Sequence, residues 1–347
     1  MSEFIKQIFL RVIGAVYSIW VLLKILKECF TVGFSEVFAK KPIARPACLD
    51  DTRLGNHGFL TLTDIKIHYV ASGPEDKPLM LFIHGFPDFW FSWRYQITEF
   101  QKDYRVVAYD QRGYGESEKP KHVRDNRVNK LTSDCRQIVE ALGYQSCVLV
   151  GHDWGALVAW ECCRLFPKMV DRLIVISGPP PLIFKQIFEN DREQQKLSWY
   201  CLFFLLPYLP ELYLRMKNYE ALESCFGIKK TGGLCFSGPL HKPMTTEELN
   251  AYKYVFSQSG ALTSALNYYR AILSEVIPVP PDYKYTVPSL LLWGCSDKCL
   301  TNTAPDLVEK QIDNVTVKRF KDAGHFVQMD QPDEVNQTIR KWLRELK

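Results

Sequence analysis

The chain has 347 residues, 47% hydrophobic and 24% charged, enough for one large or two modest domains around a sizeable core. The net charge of +4 sits at one end: Lys6, Arg11, Lys24, Lys27, Lys40, Lys41 and Arg45 meet only Glu3, Glu28 and Glu36 in residues 1–45, and the remainder balances. A balanced globular part with no basic run argues against nucleic-acid binding.

The basic excess flanks an apolar segment, Ile8 to Phe30, that carries no charge from Val12 to Leu23. With Arg11 and Lys24 snorkelling from its ends, it reaches the roughly 20 residues of a membrane-spanning helix. No small-x-small cleavage site follows, so the expectation is an uncleaved single-pass anchor rather than a signal peptide. A helix lying in the membrane interface is the remaining option. Cations after the segment outnumber those before it, which leaves the large domain on the cytosolic side; the endoplasmic reticulum is the membrane expected. Eleven scattered cysteines fit that side as reduced thiols. The sequons Asn314-Val315-Thr316 and Asn336-Gln337-Thr338 would permit the opposite one.

A Pro- and Lys-rich linker, Lys40 to Pro46, leads into strand-like runs. Residues 59–63 and 65–70 read as a hairpin around Asp64. The runs 79–83, 104–110, 146–151 and 172–177 are short and apolar, as buried parallel strands are. Helical patterns lie between them, notably Leu131 to Leu142 and Ala156 to Phe166. This alternation predicts an α/β fold with a mostly parallel sheet. It stops near Pro179, where a helical, strongly apolar stretch begins, with a turn signal at Lys230-Thr231-Gly232-Gly233 and closing prolines at 277–281. Strands resume at 289–294 and 315–320, before a last helix from Pro332 to Leu346. The division expected is an anchor and linker over 1–45, a core over 46–180 and 282–347, and an inserted helical cap over 181–281. There are no repeats and no low-complexity tract.

Ligands of open α/β sheets sit beyond the C-terminal ends of the strands, and four features fall there. The first is Asp153 in Gly151-His152-Asp153-Trp154-Gly155, at the strand-to-helix turn where G-x-S-x-G motifs carry a serine. An Asp at such a junction is commonly a helix N-cap, but the flanking glycines suit a strained, exposed residue. The second is His84-Gly85-Phe86-Pro87, a turn expected to line the substrate side. The N–H of its Phe86, with that of Trp154, could form an oxyanion hole. The third and fourth are Asp297 and His325, each close behind a late strand; with Asp153 they follow the order nucleophile, acid, base. Asp322 is a weaker rival for the acid. Asp110 and Arg112 are expected to fix a loop.

A carboxylate that attacks saturated carbon makes an ester, which water can cleave at the enzyme's own carbonyl; a serine would leave an inert ether. Asp at the elbow therefore implies attack on an sp³ carbon bearing a leaving group, as in epoxides and alkyl halides. No metal or organic cofactor is required, and no ligand cluster of Cys and His is evident in the sequence.

With these residues in hand, the chain resembles the α/β-hydrolase-fold epoxide hydrolases, particularly their membrane-anchored animal members, over about residues 50–345. The resemblance rests on His84-Gly85-Phe86-Pro87, Asp110-x-Arg112-Gly113-x-Gly115-x-Ser117, the elbow, Trp293-Gly294-x-x-Asp297 and Gly324-His325. It implies two cap tyrosines, Tyr269 in "ALNYYRAIL" and Tyr200 in "SWYCLFF". It also implies a lipophilic epoxide as substrate, an epoxy fatty acid among the candidates, and a vicinal diol as product. In "LFFLLPYLPE" Leu206 precedes Pro207 where the family often has Phe-Gln-x-Pro, so Tyr200 is matched less closely than Tyr269. A haloalkane-type dehalogenase with the same Asp-His-Asp machinery, and a non-catalytic membrane-tethered lipid-binding protein, are the alternatives.

Overall fold

The computed structural model describes residues 3–229, 234–272, 277, 279–280 and 282–346, with residues 3–11 by backbone alone. The turn signal expected at 230–233 lies outside the described residues.

Eight strands form one sheet: β1 (Asn56–Thr61), β2 (Lys66–Ser72), β3 (Leu79–Ile83), β4 (Arg105–Tyr109), β5 (Cys147–His152), β6 (Val170–Ile176), β7 (Ser289–Gly294) and β8 (Val315–Phe320). Their order is β1-β2-β4-β3-β5-β6-β7-β8. The hairpin expected around Asp64 is present, with Thr61 opposite Lys66, and β2 then pairs antiparallel with β4; all other neighbours are parallel. Strands β3, β5 and β7 are buried along their whole length, which is why they read as continuous apolar runs rather than alternating ones. The strand order reverses between β3 and β5, so a crevice opens beyond their C-terminal ends. His84 follows one of those ends and Asp153 the other.

The helices before the fifth strand are α1 (Glu3–Val32), α2 (Phe34–Phe38), α3 (Arg94–Phe100) and α4 (Val128–Ala141), and α5 (Trp154–Leu165) follows it. Between β6 and β7 the chain runs through α6 (Pro181–Asn190), α7 (Arg192–Leu197), α8 (Trp199–Phe204), α9 (Leu209–Cys225), α10 (Thr246–Ser257) and α11 (Ala261–Ile272). Helix α9 kinks at Met216–Tyr219, where the backbone leaves helical values. Helix α10 starts with a capping box, Thr245 and Glu248 each bonding the other's backbone N–H. After the last two strands' turns come α12 (Thr303–Gln311), α13 (Val327–Asp330) and α14 (Pro332–Glu345). Helix α14 buries Val335, Ile339 and Trp342 at spacings of four and three and turns its charges to water.

The N-terminal segment departs from expectation. Among the described residues no helix is long and apolar enough to cross a membrane, so the single-pass anchor is not found. The charge-free stretch ends at Leu23, and Lys24, Lys27 and Glu28 follow at once, too soon for a span of roughly 20 apolar residues. Helix α1 instead lays one stripe against the inserted helices. Ser18, Val21 and Ile25 are buried. The Trp199 ring meets those of Tyr17 at 5.9 Å and Trp20 at 5.6 Å. A Cβ on Gly14 would lie 2.4 Å from the Leu202 carbonyl oxygen, so only glycine permits this approach of α1 to α8. Lys217 reaches Glu28 at 3.0 Å. The opposite stripe stays open, with Val16 62%, Leu23 61% and Phe30 90% exposed.

Candidate active site

Strand β5 delivers the chain to Asp153 with φ 52° and ψ −117°, a conformation that costs a non-glycine residue about 1–3 kcal/mol. Its flanking glycines make this turn possible. A Cβ on Gly151 would meet the Gly155 carbonyl oxygen at 2.3 Å, and one on Gly155 would meet that of Ile83 at 2.1 Å. The side chain caps nothing in α5, so the N-cap reading of Asp153 fails. Its Oδ1 accepts the Phe86 N–H at 2.8 Å, and 19% of the side chain remains accessible. The Phe86–Pro87 peptide bond is cis.

His325 lies in the loop between β8 and α13, itself 1% exposed. Its Nε2 is 3.5 Å from Asp153 Oδ2, and its Nδ1 is 2.8 Å from Asp297 Oδ2. Asp297 is held in turn by the N–H groups of Cys299 (2.6 Å) and Leu300 (3.0 Å), which both donate to Oδ1. Each Asp297 oxygen thus has one job, and the imidazole orientation is set. Asp322 is exposed on the same loop and is no rival.

These contacts shift both ionisations. Burial disfavours the His325 cation, but the Asp297 charge and the hydrogen bonds to Asp153 and Asp297 outweigh it and lift His325 to about 10. Burial likewise pushes the Asp153 carboxyl up, yet His325 and the Phe86 N–H hold it below its ordinary value. At neutral pH the resting site is therefore an ion pair, a carboxylate beside an imidazolium.

The inserted helices bring two tyrosines to the walls of this site. Tyr269 on α11 packs against Phe86 (5.7 Å) and Trp154 (5.1 Å), and Tyr200 on α8 stands 6.2 Å from Tyr269, ring centre to ring centre. Burial, with the Asp153 charge adding to it, drives both phenols well above their usual range. They remain protonated donors at any working pH. The neighbouring Tyr268 gives its hydroxyl to the Arg112 carbonyl at 2.8 Å and is spent on the fold. Position 269, not 268, is the one whose ring packs on both Phe86 and Trp154. Phe204 and Phe236 complete an aromatic enclosure, at 5.6 Å from Phe86 and 4.9 Å from Tyr200 respectively.

Other expected residues are placed differently. The His84 ring is fully buried; its Nδ1 engages the Gly85 carbonyl at 2.9 Å and its Nε2 accepts the Gln111 N–H at 3.0 Å. It anchors the turn from within and has no ring nitrogen left for substrate, which corrects the expectation for His84; Pro87 is buried as well. Asp110 and Arg112 do fix loops. Asp110 accepts from the backbone of Trp90 and Glu116 and from His68, and Arg112 is forked onto Asp134 and reaches Asp64.

The structure also joins residues that sequence reasoning left apart. His152 Nδ1 lies 3.1 Å from Asp88 Oδ2, and its Nε2 engages the His325 carbonyl oxygen at 3.1 Å. A second buried Asp-His pair thus backs the strand end that carries the first. Both residues sit inside the motifs, His152 next to Asp153 and Asp88 next to Pro87, and that adjacency was the available signal. Two further groups converge: Asp297 with Cys299 and His325, and His57 with His68 and Glu116. In the second the imidazoles are occupied by each other (2.8 Å), by the Leu49 carbonyl and by Asp110; in the first the carboxylate and imidazole hold one another.

The arrangement is a strained, partly accessible carboxylate held by the Phe86 N–H, an imidazole set beside it by a second carboxylate, and two buried tyrosines on the inserted helices packed around Phe86 and Trp154. Residues 80–338 match the alpha/beta hydrolase family. The chain is 41% identical over 303 residues to a human protein named epoxide hydrolase 4, covering 86% of this chain and 82% of that one. It is 38% identical over 346 residues to epoxide hydrolase 1 of Caenorhabditis elegans, covering 99% and 83%. Among solved structures, an inhibitor complex of the Bacillus megaterium epoxide hydrolase superposes with a TM-score of 0.74 at 32% identity, covering 83% of this chain and all of that one.

Proposed function

We propose, for a chain that belongs to the alpha/beta hydrolase family and is an epoxide hydrolase within it, that it opens lipophilic epoxides through a covalent ester on Asp153. The observation that carries this reading is the pair of buried tyrosines, Tyr200 and Tyr269, packed around Phe86 and Trp154 beside a carboxylate whose Oδ2 lies 3.5 Å from His325 Nε2.

In the first half-reaction an Asp153 oxygen attacks one ring carbon from the side opposite the ring oxygen. The C–O bond breaks, and the leaving oxygen takes hydrogen bonds from Tyr200 and Tyr269 and a proton from one of them. The product is an ester of Asp153 and a β-hydroxyalkyl chain. Esterification removes the negative charge beside His325, so the imidazolium loses one of the groups that held its proton. His325 releases it, to reprotonate the phenol through solvent, and becomes a base at the moment one is needed.

In the second half-reaction His325, oriented by Asp297, takes a proton from water as that water adds to the ester carbonyl. The Phe86 N–H already donates to this oxygen at 2.8 Å, and the Trp154 N–H, at the first turn of α5, has no acceptor within its helix. Together they stabilise the oxyanion. Its collapse frees Asp153 and a vicinal diol, and one water has been added overall. A dehalogenase has no use for the paired phenols, and halide release tests that alternative directly.

The exposed apolar stripe of α1 supports a membrane-associated protein, the helix lying in the interface rather than crossing it. All eleven cysteines are free, which supports the cytosolic face of the endoplasmic reticulum. This location and the enclosing aromatics favour lipophilic substrates, epoxy fatty acids among them.

Single turnover in heavy-oxygen water tests the chemistry. The label is expected in Asp153 and absent from the diol, and Asp153→Ala should abolish turnover. Label in the diol after one turnover would mean direct attack by water and would refute the ester.

A further inference from the structure

His57 on β1, His68 on β2 and Glu116 in the loop after β4 take no part in the steps above, and one donor atom of each lies within 4.8 Å of the other two. The hairpin brings the histidines together. His57 pairs with Val70, so His68 is its diagonal neighbour on the same face. Their rings meet Nδ1 to Nε2 at 2.8 Å.

The outward nitrogens are both taken. His57 Nε2 donates to the Leu49 carbonyl at 2.8 Å, and His68 Nδ1 donates to the Asp110 carboxylate, Oδ2, at 2.7 Å. A carbonyl and a carboxylate can only accept. Each imidazole therefore spends its N–H outward and turns a lone pair inward. Two lone pairs at this distance repel unless a cation lies between them, a proton or a metal ion. A carbonyl or carboxylate on the far nitrogen is also what fixes tautomer and ring plane in metal-ligating histidines.

Asp110 holds the third group as well. The same Oδ2 accepts the Glu116 N–H at 3.0 Å, while Oδ1 takes that of Trp90. The loop closes on this carboxylate because position 115 is glycine, with φ 48°; a Cβ there would fall 1.8 Å from Oδ2. Glu116 gives Oε1 to Arg45, which is also forked onto Asp50 and keeps that carboxylate when Glu116 turns. His57 and Glu116 are exposed, and His68 is fully buried. A cavity of about 260 Å³ shares Leu49, Asp110 and Glu116 with the cluster, with room for water.

We propose that His57 Nδ1, His68 Nε2 and a Glu116 oxygen bind one zinc ion, with water in the fourth position. Two imidazoles and a carboxylate suit a borderline ion; calcium and magnesium ask for oxygen ligands. Around tetrahedral zinc with bonds of about 2.0–2.1 Å, donor atoms stand roughly 3.3 Å apart. The imidazoles need open by only about 0.5 Å, and Glu116 swings in. The ion joins β1, β2 and the loop after β4, and through the Leu49 carbonyl fastens the chain before β1. Its ligands are separate from the Asp153 centre, and the site does not depend on the epoxide-opening reading.

The full-length protein, stripped with EDTA and dialysed, is titrated with Zn²⁺ by calorimetry and with Co²⁺ by visible absorption. Wild type should bind one equivalent of zinc and develop the band of tetrahedral cobalt. His57→Gln and Glu116→Gln change exposed side chains, and circular dichroism checks their fold. Each should weaken zinc by about a hundredfold or more, beyond the loss of an outer-shell partner. Zinc at a hundredfold excess over its Kd should raise the wild-type unfolding midpoint by about 5 °C and leave the variants almost unmoved at the same concentration. Wild-type affinity in both folded variants overturns the proposal. So does a single equivalent whose cobalt form shows a thiolate charge-transfer band, which would put the ion at Asp297, Cys299 and His325. No binding to the wild type at micromolar zinc also overturns it and leaves the two imidazoles sharing a proton.

Discussion

Replacing Asp153 by Asn should return His325 to the range of an ordinary histidine. In the native site His325 is lifted from 6.5 to about 10, against the effect of burial, by Asp297 and Asp153 together. The substitution removes the Asp153 charge and its hydrogen bond and leaves Asp297 in place at 2.8 Å. Two unit charges 3.5 Å apart attract by roughly 5 kcal/mol at an effective dielectric of 20. The solvent reaching Asp153, 19% exposed, weakens this to about 3–4 kcal/mol, which corresponds to about 2–3 pH units. His325 in Asp153→Asn is therefore expected to titrate at about 7–8. Nitrogen NMR of ring-labelled histidines measures it, with His325→Gln assigning the resonance among the seven histidines. The proposed ester on Asp153 would remove the same charge, so the experiment tests the step by which His325 would become a base. An unchanged His325 titration in Asp153→Asn, or a wild-type value near 6.5, would refute the reasoning. The linkage has a definite sign. A histidine whose pKa is raised by folding stabilises the fold fully below its unfolded value, and loses that contribution as pH rises through the folded value. The stability advantage of wild type over His325→Gln should accordingly shrink between pH 7 and about 10.

Three other outcomes are expected. His325→Gln should still open the epoxide once, so intact mass spectrometry should show the protein heavier by one substrate. Tyr269→Phe should lower kcat by about 10²-fold with little change in stability, whereas Tyr268→Phe, losing the bond to the Arg112 carbonyl, should cost about 1 kcal/mol in urea unfolding and spare the chemistry. Gly155→Ala forces a methyl to 2.1 Å from the Ile83 carbonyl; a loss of about 2–3 kcal/mol or more is expected from denaturant titration.

Several features were legible because their physics is local. Continuous apolar runs mark strands buried on both faces, and β3, β5 and β7 are such strands. The glycines around Asp153 announce a turn that tolerates no Cβ. The aspartate in that turn is the residue on which the proposed ester rests. What the residue sequence left open involves partners distant along the chain. Tyr268 and Tyr269 are adjacent and chemically identical; only the packing of α11 over Arg112 spends one hydroxyl on the fold and sets the other ring against Phe86 and Trp154. His84 resembled a substrate contact until its ring proved enclosed by Gln111 and Gly85.

The N-terminal segment shows the same division. Its sequence shows an apolar run of borderline length with charges at both ends, compatible with a span or an interfacial helix. Its fate depends on Trp199, Leu202 and Lys217, nearly two hundred residues away, against which Tyr17, Gly14 and Glu28 fit. Residue order marked the candidate reactive groups of this chain, because reactivity belongs to side chains and short-range backbone geometry. Tertiary structure decided which of those side chains meet, because burial and hydrogen bonding are settled by neighbours that sequence proximity does not select.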